Sequence, residues 1–147
     1  MDAVQDCLKQ IMFEKKYSDK VLERIFKSHP QWGARDRKFI AEAVYDITRH
    51  FRYFSAISGS ERSLNMIFAV YLFEKGIALP DWPDFKSINT QHFEEAKKHI
   101  TSAAVLQSYP DELWNYCEKE LGEEKWDKEA TALNSEAKVV LRANTLK

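Results

Sequence analysis

If the segment from about residue 35 to residue 54 is helical, Lys38, Tyr45, Arg49 and Arg52 share one of its faces. At about 100° per residue they fall within roughly 60° of one another, on the side away from an apolar stripe. Three cations and one ring on a rigid support suit RNA. A guanidinium bonds a phosphate through paired N–H groups, and an aromatic ring stacks on an unpaired base. The same spacing also fits a solvated face, because Glu42 lies one turn after Lys38 and can neutralise it. Arg35 and Arg37 stand at the start of this helix, where the dipole favours Asp36 and disfavours cations. They either reach a phosphate or pair with neighbouring helices.

Catalytic chemistry finds less support in the sequence. There is no Gly-rich strand-to-helix turn for a cofactor, no Pro-Cys pair and no nucleophile-base spacing. His50 sits close to the apolar stripe and reads as a hydrogen-bonded core histidine. His92 and His99 are two helical turns apart, too far for one metal without further ligands. Glu94 and Glu95 read as solvated helix positions. No catalytic, cofactor-binding or metal-binding residue is expected in this chain. Cys7 and Cys117 stand far apart with no ligand spacing and no disulfide framework, which fits a reducing cytoplasm.

The elements that must position the basic face follow from composition and periodicity. A 147-residue chain with 44% hydrophobic and 13% aromatic residues can bury a core, and four glycines and four prolines are few for a turn-rich fold. Helices are therefore expected. The formal charge of -1 provides no global basic field, so any RNA site must be a local patch. No run is long and apolar enough for a signal peptide or a membrane span, so a soluble protein is expected.

Ala3, Val4, Cys7, Leu8, Ile11 and Met12 form the stripe of a first helix. Ser18 is a candidate cap for a second, carrying Val21, Leu22, Ile25 and Phe26 inward until Pro30 stops it; residues 29 to 34 are read as a connection. The third helix, about 35 to 54, turns Phe39, Ile40, Ala43, Val44, Ile47, Phe51 and Phe54 inward and is expected to be the spine of the core. A fourth, from about Glu61 to Gly76, buries Leu64, Ile67, Phe68, Tyr71 and Leu72. Residues 77 to 89 read as a long loop pinned by aromatics, and a fifth helix runs from about Thr90 to Leu106, seating Phe93, Ala96, Ile100, Ala103 and Ala104. A further helix, Asp111 to Leu121, faces Leu113, Trp114 and Cys117 inward, and a short one follows with Trp126, Ala130 and Leu133. From Asp111 to Glu136 nine acidic residues stand against three lysines, a net of -6, which suggests a separate task for this end. Residues 138 to 143 turn strand-like.

Two stretches resemble a known family. Residues 34 to 50, ARDRKFIAEAVYDITRH, are similar to the "RDR...(E)xVYGxxR" helix of NusB-like domains fused to Sun/Fmu (NOL1/NOP2/Sun) rRNA cytosine-5 methyltransferases. Ser108-Tyr109-Pro110-Asp111-Glu112-Leu113-Trp114, then Leu133-Asn134 and residues 140 to 147, VLRANTLK, resemble the entry into the methyltransferase part of the same proteins. Asp46 stands where that family often has glycine.

The resemblance implies an all-α, NusB-like antiparallel bundle over residues 1 to 107. Residues 108 to 147 would be a helical connector and one extended segment opening an RNA-binding subdomain. It further implies that the domain positions rRNA for an S-adenosylmethionine-dependent catalytic domain absent from this chain. The expected contacts are Arg35, Arg37, Lys38, Arg49 and Arg52 to the RNA backbone and Tyr45 to a base. The expected partners are rRNA, the protein's own catalytic domain and, through the C-terminal segment, a second copy. The acidic end would pack on or lead into the catalytic domain, with Trp114 and Trp126 as anchors. An alternative is a protein-interaction module that binds ribosomal or transcription proteins, which the near-neutral charge suits. A third reading is a structural domain without RNA affinity.

Overall fold

The computed structural model describes residues Asp2 to Ser135, and every regular element among them is helical. The chain divides after Pro110 into two compact units. The expected strand over 138 to 143, and the self-association assigned to that segment, lie outside the described residues.

In the first unit, α1 (Asp2–Leu8) continues into one π turn (Lys9–Phe13), so Val4, Cys7, Leu8 and Ile11 stay on one buried stripe. Helix α2 (Ser18–Ser28) buries Val21, Leu22 and Ile25. Tyr17, not Ser18, is its N-cap, and no side chain caps it. The helix ends at Ser28, two residues ahead of Pro30. Steric crowding by the proline ring disfavours helical backbone at the residue before it, here His29.

The expected third helix is two helices, α3 (Ala34–Arg49) and α4 (Phe51–Ser58), separated by His50 at φ -105° and ψ 27°. Just before the break the Thr48 hydroxyl donates to the carbonyl of Val44 over 2.7 Å, a back-bond of the kind that bends helices. A new helix start leaves N–H groups without intrahelical partners. One of them, on Tyr53, donates to the Ser108 hydroxyl oxygen at 2.9 Å. The break redirects the chain so that Phe54 and Ile57 are buried, while Phe39, expected inside, is 38% exposed.

The spine of the core is α5 (Leu64–Glu74) rather than α3. Its residues Ile67, Phe68, Ala69, Val70, Tyr71 and Leu72 are all buried, as expected of a helix that is apolar all round. It packs against α1, α3, α4 and a 3-10 turn (Pro83–Phe85). Each large side chain so buried contributes roughly 1.5–3 kcal/mol relative to exposure. Gly76, at φ +66°, closes the helix: its N–H donates to Phe73 and that of Ile77 donates to Leu72, a Schellman pattern that a residue with a Cβ rarely adopts.

The loop after α5 is pinned by Phe85, which is buried and lies 6.4 Å from the Phe68 ring. The expected fifth helix is again two, α6 (Gln91–His99) and α7 (Ala103–Leu106). Ile100 is extended, and the Ser102 side chain restarts the helix by accepting from the Val105 N–H. Phe93 is fully buried, and α6 and α7 both pack on α4.

The second unit contains α8 (Asp111–Leu121) and α9 (Glu123–Asn134), joined by Gly122 at φ +84°. Trp114 and Trp126 meet edge to face at 5.5 Å, with Ala130 buried on α9. Leu113, expected inside, is 44% exposed.

Candidate nucleic-acid interface

Helix α3 starts where the Asp36 carboxylate accepts the Gly33 N–H at 3.1 Å, which closes the first turn. The acid thus sits at the positive end of the helix, as the dipole favours. Ile40, Ala43, Val44 and Ile47 fix one side of α3 in the core. Arg35, Lys38, Glu42, Tyr45 and Arg49 are exposed. At about 100° per residue these five lie within roughly 80° of one another. From Arg35 to Arg49 the row runs about 21 Å along the axis at 1.5 Å per residue.

Three cations and one anion give this row a local charge of +2 at neutral pH, against -1 for the whole chain. Lys38 and Glu42 approach to 3.7 Å at the surface, a contact too exposed to hold the ammonium firmly. At the edge of the row Asp46 pairs with Lys75 at 2.7 Å, and that ammonium lies 5.7 Å from the Tyr71 ring centroid. The pair joins α3 to α5 and removes one carboxylate from the basic face.

Two of the six expected contact residues are placed elsewhere. Arg37 is half-buried: its Nε donates to the Trp32 carbonyl at 3.0 Å and its guanidinium lies 5.8 Å from the Phe26 ring centroid. It joins the α2–α3 turn to α2, the structural pairing that the sequence left open. Arg52 lies beyond the break at His50, and its guanidinium donates to the Tyr109 carbonyl. The row therefore keeps Arg35, Lys38, Tyr45 and Arg49 together.

Two features escaped the sequence. Across the turn between α2 and α3, His29 and Trp32 stack with ring centroids 4.1 Å apart and planes 4° from parallel. Pro30 and the three-residue spacing were the available signals. A polar group links α4, α5 and α6: the Tyr53 hydroxyl donates to Glu74 at 3.3 Å, and Lys97 pairs with Glu74 at 2.7 Å. That carboxylate and hydrogen bond raise the Lys97 pKa, while burial raises that of Tyr53, so neither supplies a reactive base at neutral pH. Long-range pairings of this kind leave no local spacing to find.

Among the described residues the other chemistry-bearing groups lie apart from this row. Cys7 is buried and its thiol is pushed up to about 11 by desolvation, so little reactive thiolate forms at neutral pH. Burial lowers the His50 pKa and favours the neutral ring, which meets Phe54 edge-on at 6.2 Å. His92 and His99 are exposed on α6. Among the described residues no group of His, Cys, Asp and Glu is placed to hold a metal, and no helix is long and apolar enough to cross a membrane. No protein-family model, curated protein or solved structure matches this chain.

Proposed function

We propose that this chain is an RNA-holding helical domain that uses the outer face of α3, with Arg35, Lys38 and Arg49 on phosphates and Tyr45 against a base. The observation that carries the reading is the shared exposure of these four side chains on a helix whose opposite face is locked in the core. A helix fixed in the core adds no backbone ordering cost when its cations bind, and a half-exposed tyrosine offers a ring face for stacking. The resemblance of residues 34 to 50 and 108 to 114 to the Sun/Fmu methyltransferases supports rRNA as the RNA held, and the two widely spaced cysteines support a cytoplasmic setting. The domain would position it for a catalytic domain outside this chain, and that domain would bind S-adenosylmethionine. Arg37 and Arg52 are assigned to holding the fold.

The protein-binding alternative draws on Phe39, which is 38% exposed on the same helix and offers an apolar contact. A salt titration of affinity for rRNA fragments separates the two readings. Phosphate contacts release counterions and weaken steeply with salt; an apolar protein contact does not. The informative variant reverses Lys38 and Arg49. Arg52 is unsuitable because its loss would also release Tyr109.

A further inference from the structure

The turn that leads into α3 carries an aromatic stack. Helix α2 has ended at Ser28, and α3 starts at Ala34 with its first turn closed by Asp36. Between them the His29 ring lies parallel to Trp32 at 4.1 Å, while His29 Nδ1 is 3.0 Å from the Ile25 carbonyl. Trp32 also packs against the core cluster, and both residues are half-buried, so part of the stack remains open to solvent. Arg37 grips the Trp32 carbonyl, which holds the turn in place. Three residues beyond Trp32 stands Arg35, the first cation of the exposed row, within about 10 Å by chain reach.

We infer that the His29–Trp32 stack is a base-stacking subsite at the N-terminal end of the α3 row, taking an unpaired nucleobase of single-stranded RNA on His29. The inference rests on the RNA reading above and adds a place on the protein where a base is held. A ring already backed by a second ring pays little ordering cost when a base is laid on it, and stacking tolerates any base. Arg35 then meets the adjoining phosphate. The strand then lies with its stacked base at the α2–α3 turn and its phosphates along the row toward Arg49.

The test measures binding of a short single-stranded oligoadenylate RNA, at several salt concentrations, to the wild-type chain, His29→Ala, His29→Phe and Lys38→Glu/Arg49→Glu. Loss of one stacked base weakens binding roughly five- to 150-fold. The expected result is a fall in that range for His29→Ala with the salt slope unchanged, and recovery in His29→Phe, which keeps a ring but loses the bond to Ile25. Thermal unfolding of each variant separates lost binding from lost fold. Wild-type affinity in His29→Ala, alongside weakening in the double charge reversal, overturns the stacking subsite and leaves the RNA reading standing. Failure of His29→Phe to recover, or a changed salt slope in His29→Ala, also overturns it, since charge or turn geometry would then be the cause. No binding by the wild-type chain to this RNA or to rRNA fragments overturns both.

Discussion

The backbone N–H of Tyr53 donates to the Ser108 hydroxyl at 2.9 Å, so a side chain 55 residues away caps the start of α4. Ser108 holds φ +58°, a left-handed conformation that costs a non-glycine residue about 1 kcal/mol or more. Arg52, next to Tyr53, bonds the Tyr109 carbonyl. The segment just before Pro110 is thus tied at two successive residues, and the break at His50 creates the free N–H that it satisfies.

Ser108→Ala should therefore destabilise the first unit by about 1 kcal/mol, the usual cost of a lost helix cap. Ser108→Asn should recover most of that, because Asn tolerates left-handed backbone and can accept the same hydrogen bond. Chemical denaturation measures the change, and amide exchange at Tyr53 reports it locally. Equal stability and unchanged Tyr53 protection in Ser108→Ala would mean that the cap is idle.

Ala69→Leu should cost about 1–3 kcal/mol, because Ala69 is fully enclosed on α5 and added methylenes have no room. On a helix with one apolar stripe this position would be solvated, and the change would be close to neutral. Chemical denaturation distinguishes an α5 buried all round from a conventional amphipathic helix.

His50 should make the fold less stable in mild acid. Burial lowers its pKa in the folded state below the ordinary 6.5, outweighing the Asp46 carboxylate that raises it; Arg49 and Lys75 also lower it. The folded state then binds fewer protons than the unfolded chain over the interval below 6.5. Stability contributed by the neutral ring is full above 6.5, falls as pH drops through that interval, and levels off below the folded-state pKa. His50→Gln should flatten the dependence of unfolding free energy on pH in that range. The same slope in variant and wild type would assign it to other groups.

The helical class and most of the core were legible because buried residues recur at helical spacing in α1, α2 and α3, with Val4, Cys7, Val21, Leu22, Ile40, Ala43 and Val44 all inside. The break at His50 was not legible. Apolar spacing runs through it, and its partner, Ser108, is remote in sequence. The central place of α5 was missed for a related reason: a helix buried on all sides has no contrasting face, so Ala69 and Val70 fell off the stripe drawn for it. On α3, spacing placed Lys38, Tyr45 and Arg49 on one exposed face, which the fold retains. It could not reveal that Arg37 and Arg52 reach backbone carbonyls, because angular position on a helix does not say what a long side chain meets.

The central claim is that the outer face of α3 binds RNA through phosphate contacts. Its most direct test is the slope of log affinity against log salt for an rRNA fragment, compared between the wild-type chain and Lys38→Glu/Arg49→Glu. Both positions are exposed, and the fold of the variant is checked by circular dichroism and thermal unfolding. For single-stranded RNA each phosphate contact adds about 0.7 to the magnitude of the slope. The expected result is weaker binding and a slope shallower by about 1.4, two contacts' worth. Unchanged affinity and slope in the folded variant would contradict it and move the function of this face to a protein partner.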